Sequence, residues 1–148
     1  MPGIEELVAG TRTSRKSDAR DQGDTPANML FRALNLVFFS RSSSAKPPPW
    51  RTAAFAKRLT TASLYFPSST VARALKFVQR LFSIEPKLDA LLSVEDKMAN
   101  GVYRSDIDDP QLCNPFATNL WELQLLSQRH GDHEVRQIAN ELLHHSHE

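Results

Sequence analysis

The chain has 148 residues, of which 41% are hydrophobic and 24% are charged, so it is long enough for one average domain and too short for a two-domain enzyme. A single cysteine, Cys113, excludes an internal disulfide framework and any zinc site built from several thiolates. The net charge of +1 conceals an asymmetry, because residues 1–60 carry 10 basic and 5 acidic residues whereas residues 91–148 carry 4 and 10. The apolar stretches are far shorter than a membrane span and no secretory start is visible, which predicts a chain of the cytosol or nucleus that does not enter a membrane.

The N-terminal region is polar. Residues 9–26 contain no aromatic or large aliphatic side chain, and such a segment cannot offset the entropy of ordering it. We therefore expect residues 1–26 to be a disordered arm and residues 27–148 to be a helical domain. A Ser/Pro-rich stretch at 40–49 ends in three prolines and is predicted to be a mobile linker.

Three helices are predicted before residue 84. Thr25 is a suitable N-cap with Pro26 in the first turn, which predicts a helix over 26–39. The apolar residues then recur at i, i+4, i+7 and i+11 in two further segments, which predicts helices over 50–66 and 69–83, with Ser68–Thr70 offering caps for the second. Pro67 separates these two helices.

The remaining chain continues the helical pattern. Pro86 can begin a short helix over 86–92, and residues 93–113 form an acidic linker without periodicity. Asn114 and Pro115 predict the start of a helix that runs to His130, with Gly131 as a left-handed C-terminal cap. Asp132 should cap a last helix, whose apolar stripe consists of Val135, Ile138, Ala139, Leu142 and Leu143. No stretch favours a strand, so the predicted fold is all-α, with antiparallel hairpins stacked as a short HEAT/armadillo-like solenoid.

No residue pattern indicates catalysis, a cofactor, a metal or a small-molecule substrate. The cluster of Asp106, Asp108 and Asp109 lacks the later glycine and glutamate of a calcium loop, so it is a solvated linker or an acidic patch for a partner. Cys113 precedes a predicted helix and is typical of a packed side chain. The histidines near the C-terminus lie too far from His133 along one helix axis to share an ion with it.

One predicted helix has a basic face opposite its apolar face. In the 69–83 helix, Arg73, Lys76 and Arg80 lie about 140–200° away from the first apolar residue. Lys57 and Arg58 in the preceding helix could extend this surface. Two interpretations remain open: a solvated polar face, or an electrostatic, salt-sensitive contact with the phosphates of an RNA.

A set of short segments resembles a known family. The segments are Gly101-Val102-Tyr103-Arg104, Asp109-Pro110-Gln111-Leu112-Cys113-Asn114, Asn119-Leu120-Trp121-Glu122-Leu123 and Ala54-Phe55-Ala56-Lys57-Arg58-Leu59. Together they resemble the CCAAT-binding-factor domain of ribosome-assembly scaffold proteins, over residues 28–143. Relatives are several hundred residues long, so this chain is expected to be a terminal segment of a longer helical scaffold.

The resemblance implies a non-enzymatic scaffold of the nucleus and nucleolus. It would associate with precursors of the large ribosomal subunit during maturation and intranuclear transport. It would bind a nucleolar complex protein 2-like partner and, through its basic residues, pre-rRNA. The alternative is a nuclear protein-interaction module in the initiation of DNA replication, without direct RNA contact. Leu120, Trp121 and Tyr103 match recognisable family positions; packing in the core is favoured for Trp121, with partner binding as the other role.

Overall fold

A computed structural model describes residues 25–40, 46–93 and 101–145. The predicted arm up to residue 24 and parts of both predicted linkers, at 41–45 and 94–100, lie outside the described residues. The chain divides into two compact units, Met1–Lys46 and Pro47–Glu148.

The first unit contributes helix α1, Pro26–Phe39. The Thr25 hydroxyl accepts a hydrogen bond from the backbone N–H of Asn28 at 3.2 Å, and Pro26 stands in the first turn, as the sequence predicts. One face of α1 buries Phe31, Leu34 and Phe38.

The second unit begins with two helices joined by a short turn, α2 over Pro49–Ser63 and α3 over Ser68–Ile84. Helix α2 ends three residues before the predicted limit of 66. The N–H groups of Leu64, Tyr65 and Phe66 instead bond to carbonyls three residues back, which tightens the chain into the turn before Pro67. The predicted side-chain cap of α3 is wrong, because the N-cap is Pro67 and no side chain caps the helix.

After α3 the chain forms a 3₁₀ helix over Pro86–Leu92, where a short helix is predicted. Its start is fixed by Glu85, whose carboxylate accepts the N–H of Lys87 at 3.1 Å. Leu88 and Leu91 are fully buried, and the Leu91 carbonyl accepts the N–H of Leu120 at 2.8 Å. This bond fastens the distant segment before the next helix to the core.

The continuous helix predicted from Asn114 to His130 is wrong. Asn114 adopts a left-handed conformation with φ +59°, a single 3₁₀ turn follows over Pro115–Ala117, and Thr118 is extended. Helix α4 begins only at Trp121 and ends at Arg129. The Leu120–Leu91 backbone bond directs the chain away from a continuous helix at this point.

The last helix, α5, spans His133–Leu143 and is capped by Asp132, whose carboxylate accepts the N–H groups of Glu134 and Val135. The predicted left-handed cap at Gly131 is wrong, since among the described glycines only Gly101 has a positive φ. Between the helices Arg136 Nη1 donates to the carbonyls of His130 and Gly131, so a side chain closes this turn.

The helices of the second unit pack in two neighbouring pairs. Helix α2 lies against α3, α4 lies against α5, and α3 also packs on α5. The core between them contains mostly leucine, valine, phenylalanine and alanine: Ala53, Ala56, Leu59, Val71, Leu75, Val78, Leu81, Phe82, Leu88, Leu91, Leu123, Leu126, Val135, Ile138, Ala139 and Leu142. The described residues contain no strand, which confirms the all-α class; the stacking of the hairpins as a solenoid stays a prediction.

Candidate partner-binding site

A buried ion pair joins α2 to α4. Lys57 Nζ lies 2.9 Å from Glu122 Oε1 and 2.8 Å from Oε2, and the two side chains are 4% and 0% exposed. The ammonium group also donates to the Asn119 carbonyl at 2.9 Å. An ammonium has three donors, and these three acceptors satisfy all of them. The pair is therefore fully hydrogen-bonded although it lies in the interior.

The carboxylate side of the pair is equally well supported. Thr61, one turn after Lys57 on α2, donates its hydroxyl hydrogen to Glu122 Oε2. Glu122 stands in the first turn of α4, where the positive end of the helix dipole favours a carboxylate. Removing either partner would leave an uncompensated charge in the core.

Two aromatic rings flank the same ammonium group. The centroid of Trp121 lies 5.3 Å from Lys57 Nζ and that of Tyr103 lies 5.8 Å from it, both within cation–π range. Trp121 is nevertheless 52% exposed, because it stands on the outer side of the first turn of α4 while the adjacent Glu122 points inward. The expectation that Trp121 packs in the core is wrong; Leu120, at 2% exposure, does belong to the core.

The rings border a groove with a volume of about 430 Å³. Its walls come from α2, from the loop containing Tyr103, and from the start of α4; the lining residues are Lys57, Arg58, Thr61, Ala62, Tyr103, Ser105, Thr118, Trp121 and Glu122. An exposed tryptophan beside a groove is a common anchor of protein interfaces. This groove is the candidate partner-binding site.

Arg58 holds the loop that forms one wall of the groove. Its guanidinium donates to the Ile107 carbonyl and lies 3.9 Å from the Asp108 carboxylate. Burial raises the pKa of Tyr103 above its ordinary value of 10.0, and the charge of Arg58 opposes this shift. Further along the same loop, a hydrogen bond from Arg104 lowers the pKa of the exposed Asp106. Two of the acidic residues of this loop are thus paired, Asp106 with Arg104 of the same loop and Asp108 with Arg58 of α2.

The predicted basic surface is only partly present. Arg73, Lys76 and Arg80 are exposed on α3, as the sequence predicts. Lys76 makes a 2.9 Å salt bridge with Glu134 on α5. Lys57 is buried against Glu122, so its predicted place on the basic surface is wrong. Arg58 points to the groove loop instead of joining the face of α3.

Sequence reasoning missed Glu122, Thr61 and Asn119 as partners of Lys57. A signal is present, since Lys57 is surrounded in α2 by small residues typical of close helix packing, such as Ala53, Ala56 and Thr60. The partner carboxylate lies 65 positions away, however, and only the tertiary structure brings it to this point.

Cys113 and Asp109 each stabilise the local chain fold. Cys113 is buried and its thiol donates to the Pro110 carbonyl at 3.4 Å. Asp109 accepts the N–H groups of Gln111 and Leu112, which shapes the local turn. Within the part of the chain that the structure describes, no three histidine, cysteine or acidic residues are grouped in a way that could hold a metal, and no helix there is long and apolar enough to cross a membrane.

Comparison with known proteins gives a consistent result. The family model described as the CBF/Mak21 family matches residues 20–139. The chain is 36% identical over 106 residues to Nucleolar complex-associated protein 3 of Saccharomyces cerevisiae, which covers 72% of this chain and 16% of that protein. It is 33% identical over 116 residues to Nucleolar complex protein 3 of Drosophila melanogaster, covering 78% of this chain and 14% of that protein. For the Homo sapiens Nucleolar complex protein 3 homolog the identity is 37% over 94 residues, covering 63% and 11%.

Proposed function

The chain belongs to the CBF/Mak21 family, and we propose that it is a non-enzymatic helical scaffold in the nucleolar assembly of the large ribosomal subunit. The observation that carries this proposal is the match to relatives named as nucleolar complex proteins. These names support the nucleus and nucleolus as the compartment and ribosome biogenesis as the process. The chain spans less than a fifth of the length of these relatives, so its partners and its mode of action are part of the proposal.

The scaffold role is supported by the packing of the second unit. Two helical pairs, α2 with α3 and α4 with α5, share one core and leave outer helix faces for contacts. We propose that such pairs stack in the HEAT/armadillo-like manner, in which each repeat contacts its neighbours and the outer faces bind partners. The buried pair of Lys57 and Glu122 would act as an internal fastener between the first and second helical pair.

The proposed protein-binding surface is the groove beside Trp121. The half-exposed ring of Trp121 packs against the Lys57 ammonium on one face, so the ring loses little conformational freedom when a partner covers it. Rigid aromatic side chains of this kind often contribute most of the binding energy at an interface. We propose that a nucleolar complex protein 2-like partner binds here.

A gradient experiment tests the proposed function. The tagged full chain should sediment with precursors of the large ribosomal subunit. Its absence from those fractions, while a full-length relative is present in them, would contradict the function.

A substitution in the groove tests the proposed binding surface. Changing Trp121 to Ala should weaken binding of the partner by about tenfold or more, because an exposed anchor is removed.

Tyr65 provides the matched control for Trp121. It is an exposed aromatic residue of the same unit and lies in the turn after α2, outside the groove. Tyr65→Ala should bind the partner and sediment as the unchanged chain does. Equal losses for both variants, or no loss for Trp121→Ala with retained sedimentation, would remove the groove from the proposal and leave the function in place.

We also propose a phosphate contact through the exposed residues of α3. Replacing Arg73 or Arg80 by Gln should reduce the slope of RNA affinity against salt by about 0.7–0.9 for each phosphate that the variant no longer neutralises. Lys76→Gln should reduce the slope in the same way, because Lys76 is exposed on the same helix. Arg129→Gln, at the end of α4, is the control. An unchanged slope in all three α3 variants would contradict the contact.

Nuclease treatment separates this proposal from the replication alternative. If the chain reaches its partners through RNA, partners recovered with it should disappear on digestion. Partners that persist, and that belong to the replication-initiation machinery, would favour the module without RNA contact.

A further inference from the structure

Ser105 is an exposed residue of the loop that forms one wall of the groove. It follows Arg104 in a tight turn, in which the N–H of Ile107 bonds to the Arg104 carbonyl at 3.3 Å. Residues 101–109 form no helix or strand. A hydroxyl on such a loop is accessible to an enzyme that modifies side chains, because little packing has to be broken to reach it.

Three carboxylates follow this hydroxyl closely in the sequence. Asp106, Asp108 and Asp109 stand one, three and four positions after Ser105. Of all serines and threonines in the sequence, only Ser93 and Ser105 have an acidic residue three positions later. The side chain of Asp108 is fully exposed, and that of Asp106 is 66% exposed. This pattern is complementary to a kinase with a basic substrate groove, since charge patterns decide which substrates a kinase accepts.

We propose that Ser105 is a phosphorylation site for an acid-directed serine kinase, and that the phosphate closes the groove to its protein partner. The second part rests on the proposed function of the groove. In the reaction the Ser105 oxygen attacks the γ-phosphorus of ATP; the new O–P bond forms, the bond to the β–γ bridging oxygen breaks, and ADP leaves. The hydroxyl proton passes to the catalytic aspartate of the kinase.

A phosphate on Ser105 changes the charge of the groove wall by about −1.5 to −2 near pH 7. Trp121 and Arg58 line the same groove, and the Arg58 side chain is 36% exposed there. Arg58 supplies a cation that can pair with the phosphate inside the groove. A partner that covers Trp121 must then take this dianion out of water, which costs free energy. Phosphorylation therefore weakens binding at the groove.

Treatment of the full chain with casein kinase 2 and ATP tests the site. Tandem mass spectrometry should find the phosphate on Ser105. Asp108→Asn should lower the initial rate by about tenfold or more, because it removes the charge three positions after the hydroxyl. Ser69→Ala is the control, since Ser69 is an exposed serine of α3 that no acidic residue follows within four positions, and its rate should be unchanged.

Three outcomes would overturn the site. They are a chain that the kinase leaves unmodified, a phosphate on Ser93 but not on Ser105, and an unchanged rate for Asp108→Asn.

Fluorescence quenching places the phosphate without any partner. The chain has two tryptophans, so Trp50→Phe leaves Trp121 as the only one. Phosphorylation should reduce the quenching of Trp121 by iodide more than its quenching by neutral acrylamide, because the dianion repels iodide. Iodide quenching that does not change on phosphorylation would contradict a phosphate beside Trp121.

Affinity for the nucleolar complex protein 2-like partner tests the closure. The phosphorylated chain should bind at least about tenfold more weakly than the unmodified chain. Ser105→Ala, treated with kinase in the same way, should keep the affinity of the unmodified chain. Equal affinity of the phosphorylated and unmodified chains would overturn the closure. If the unmodified chain does not bind this partner, the proposed function of the groove fails, while the kinase and quenching results still decide the phosphorylation site.

Discussion

Among the residues that the structure describes, two lysine–glutamate pairs connect helices, and the two pairs differ in their exposure to solvent. Lys57 and Glu122 join α2 to α4 with side chains 4% and 0% exposed, whereas Lys76 and Glu134 join α3 to α5 with both side chains 59% exposed. The distances are nearly equal, at 2.8 and 2.9 Å. The two pairs thus have the same charges and nearly the same length, and they differ in their exposure to solvent. The comparison shows that burial, and not the ion pair itself, decides what such a contact does for the fold.

The reason is the cost of an unpaired charge. In water a lone ammonium or carboxylate is well solvated, so an exposed pair contributes about 0–1 kcal/mol. In the core each charge has given up its water, and its protein partners are the only compensation. The buried pair as a whole therefore adds little to the free energy of unfolding, but removal of only one of its two charges is strongly destabilising.

The largest effect is expected from breaking the buried pair on one side. Glu122→Ala should lower the free energy of unfolding by about 3–5 kcal/mol, because Lys57 keeps a buried charge and loses two of its three acceptors. Urea denaturation followed by circular dichroism measures the change. The double variant Lys57→Met/Glu122→Met should be less destabilised than Glu122→Ala, since it removes both charges together. A double variant that is worse than the single one would contradict this explanation of the pair.

An intermediate effect is expected in the loop that covers the buried pair. Gly101 has φ +94°, and a Cβ atom there would lie 2.7 Å from Nδ2 of Asn114, which itself has a positive φ. Gly101→Ala should lower the free energy of unfolding by about 1–3 kcal/mol, through backbone strain and this close approach. Gly131→Ala is the control, because a Cβ atom at Gly131 would meet nothing within 4 Å and its φ is not positive. Equal losses at the two glycines would rule out strain at Gly101 as the cause.

The smallest effect is expected at the exposed pair. Glu134→Gln should lower the free energy of unfolding by less than about 1 kcal/mol, and this small difference should shrink further as salt is added. Denaturation of both proteins at low and high ionic strength measures it. A loss comparable to that of Glu122→Ala would mean that exposure does not separate the two pairs, and the comparison would fail.

Local features of the sequence predict much of the helical framework. The predicted bounds of α1, 26–39, agree with the structure, because Thr25 and Pro26 fix its start within the sequence itself. The Asp132 cap predicts the start of α5 for the same reason. The helix predicted from Asn114 fails where a long-range bond decides the outcome, since the N–H of Leu120 pairs with Leu91, twenty-nine positions earlier.

The candidate site is less accessible to sequence reasoning. The exposure of Arg73, Lys76 and Arg80 follows from helical periodicity, which depends only on neighbouring residues. Lys57, in the preceding helix, is predicted to extend the same surface, but the structure buries it against Glu122. Trp121 is expected in the core because the predicted helix around it is apolar on nearly all sides. In the first turn of α4, however, Glu122 points inward and the indole of Trp121 lies at the groove.

The sequence by itself determined the all-α class, the capped starts of α1 and α5, and the family, because these depend on short-range spacing and on local motifs. The tertiary structure decided which charges are buried. A lysine can enter the core only when enough acceptors converge on it, and here a carboxylate, a carbonyl and two aromatic rings come from positions 103–122, far from Lys57 in the chain. Such convergence arises from helix packing, and no local pattern around Lys57 specifies it.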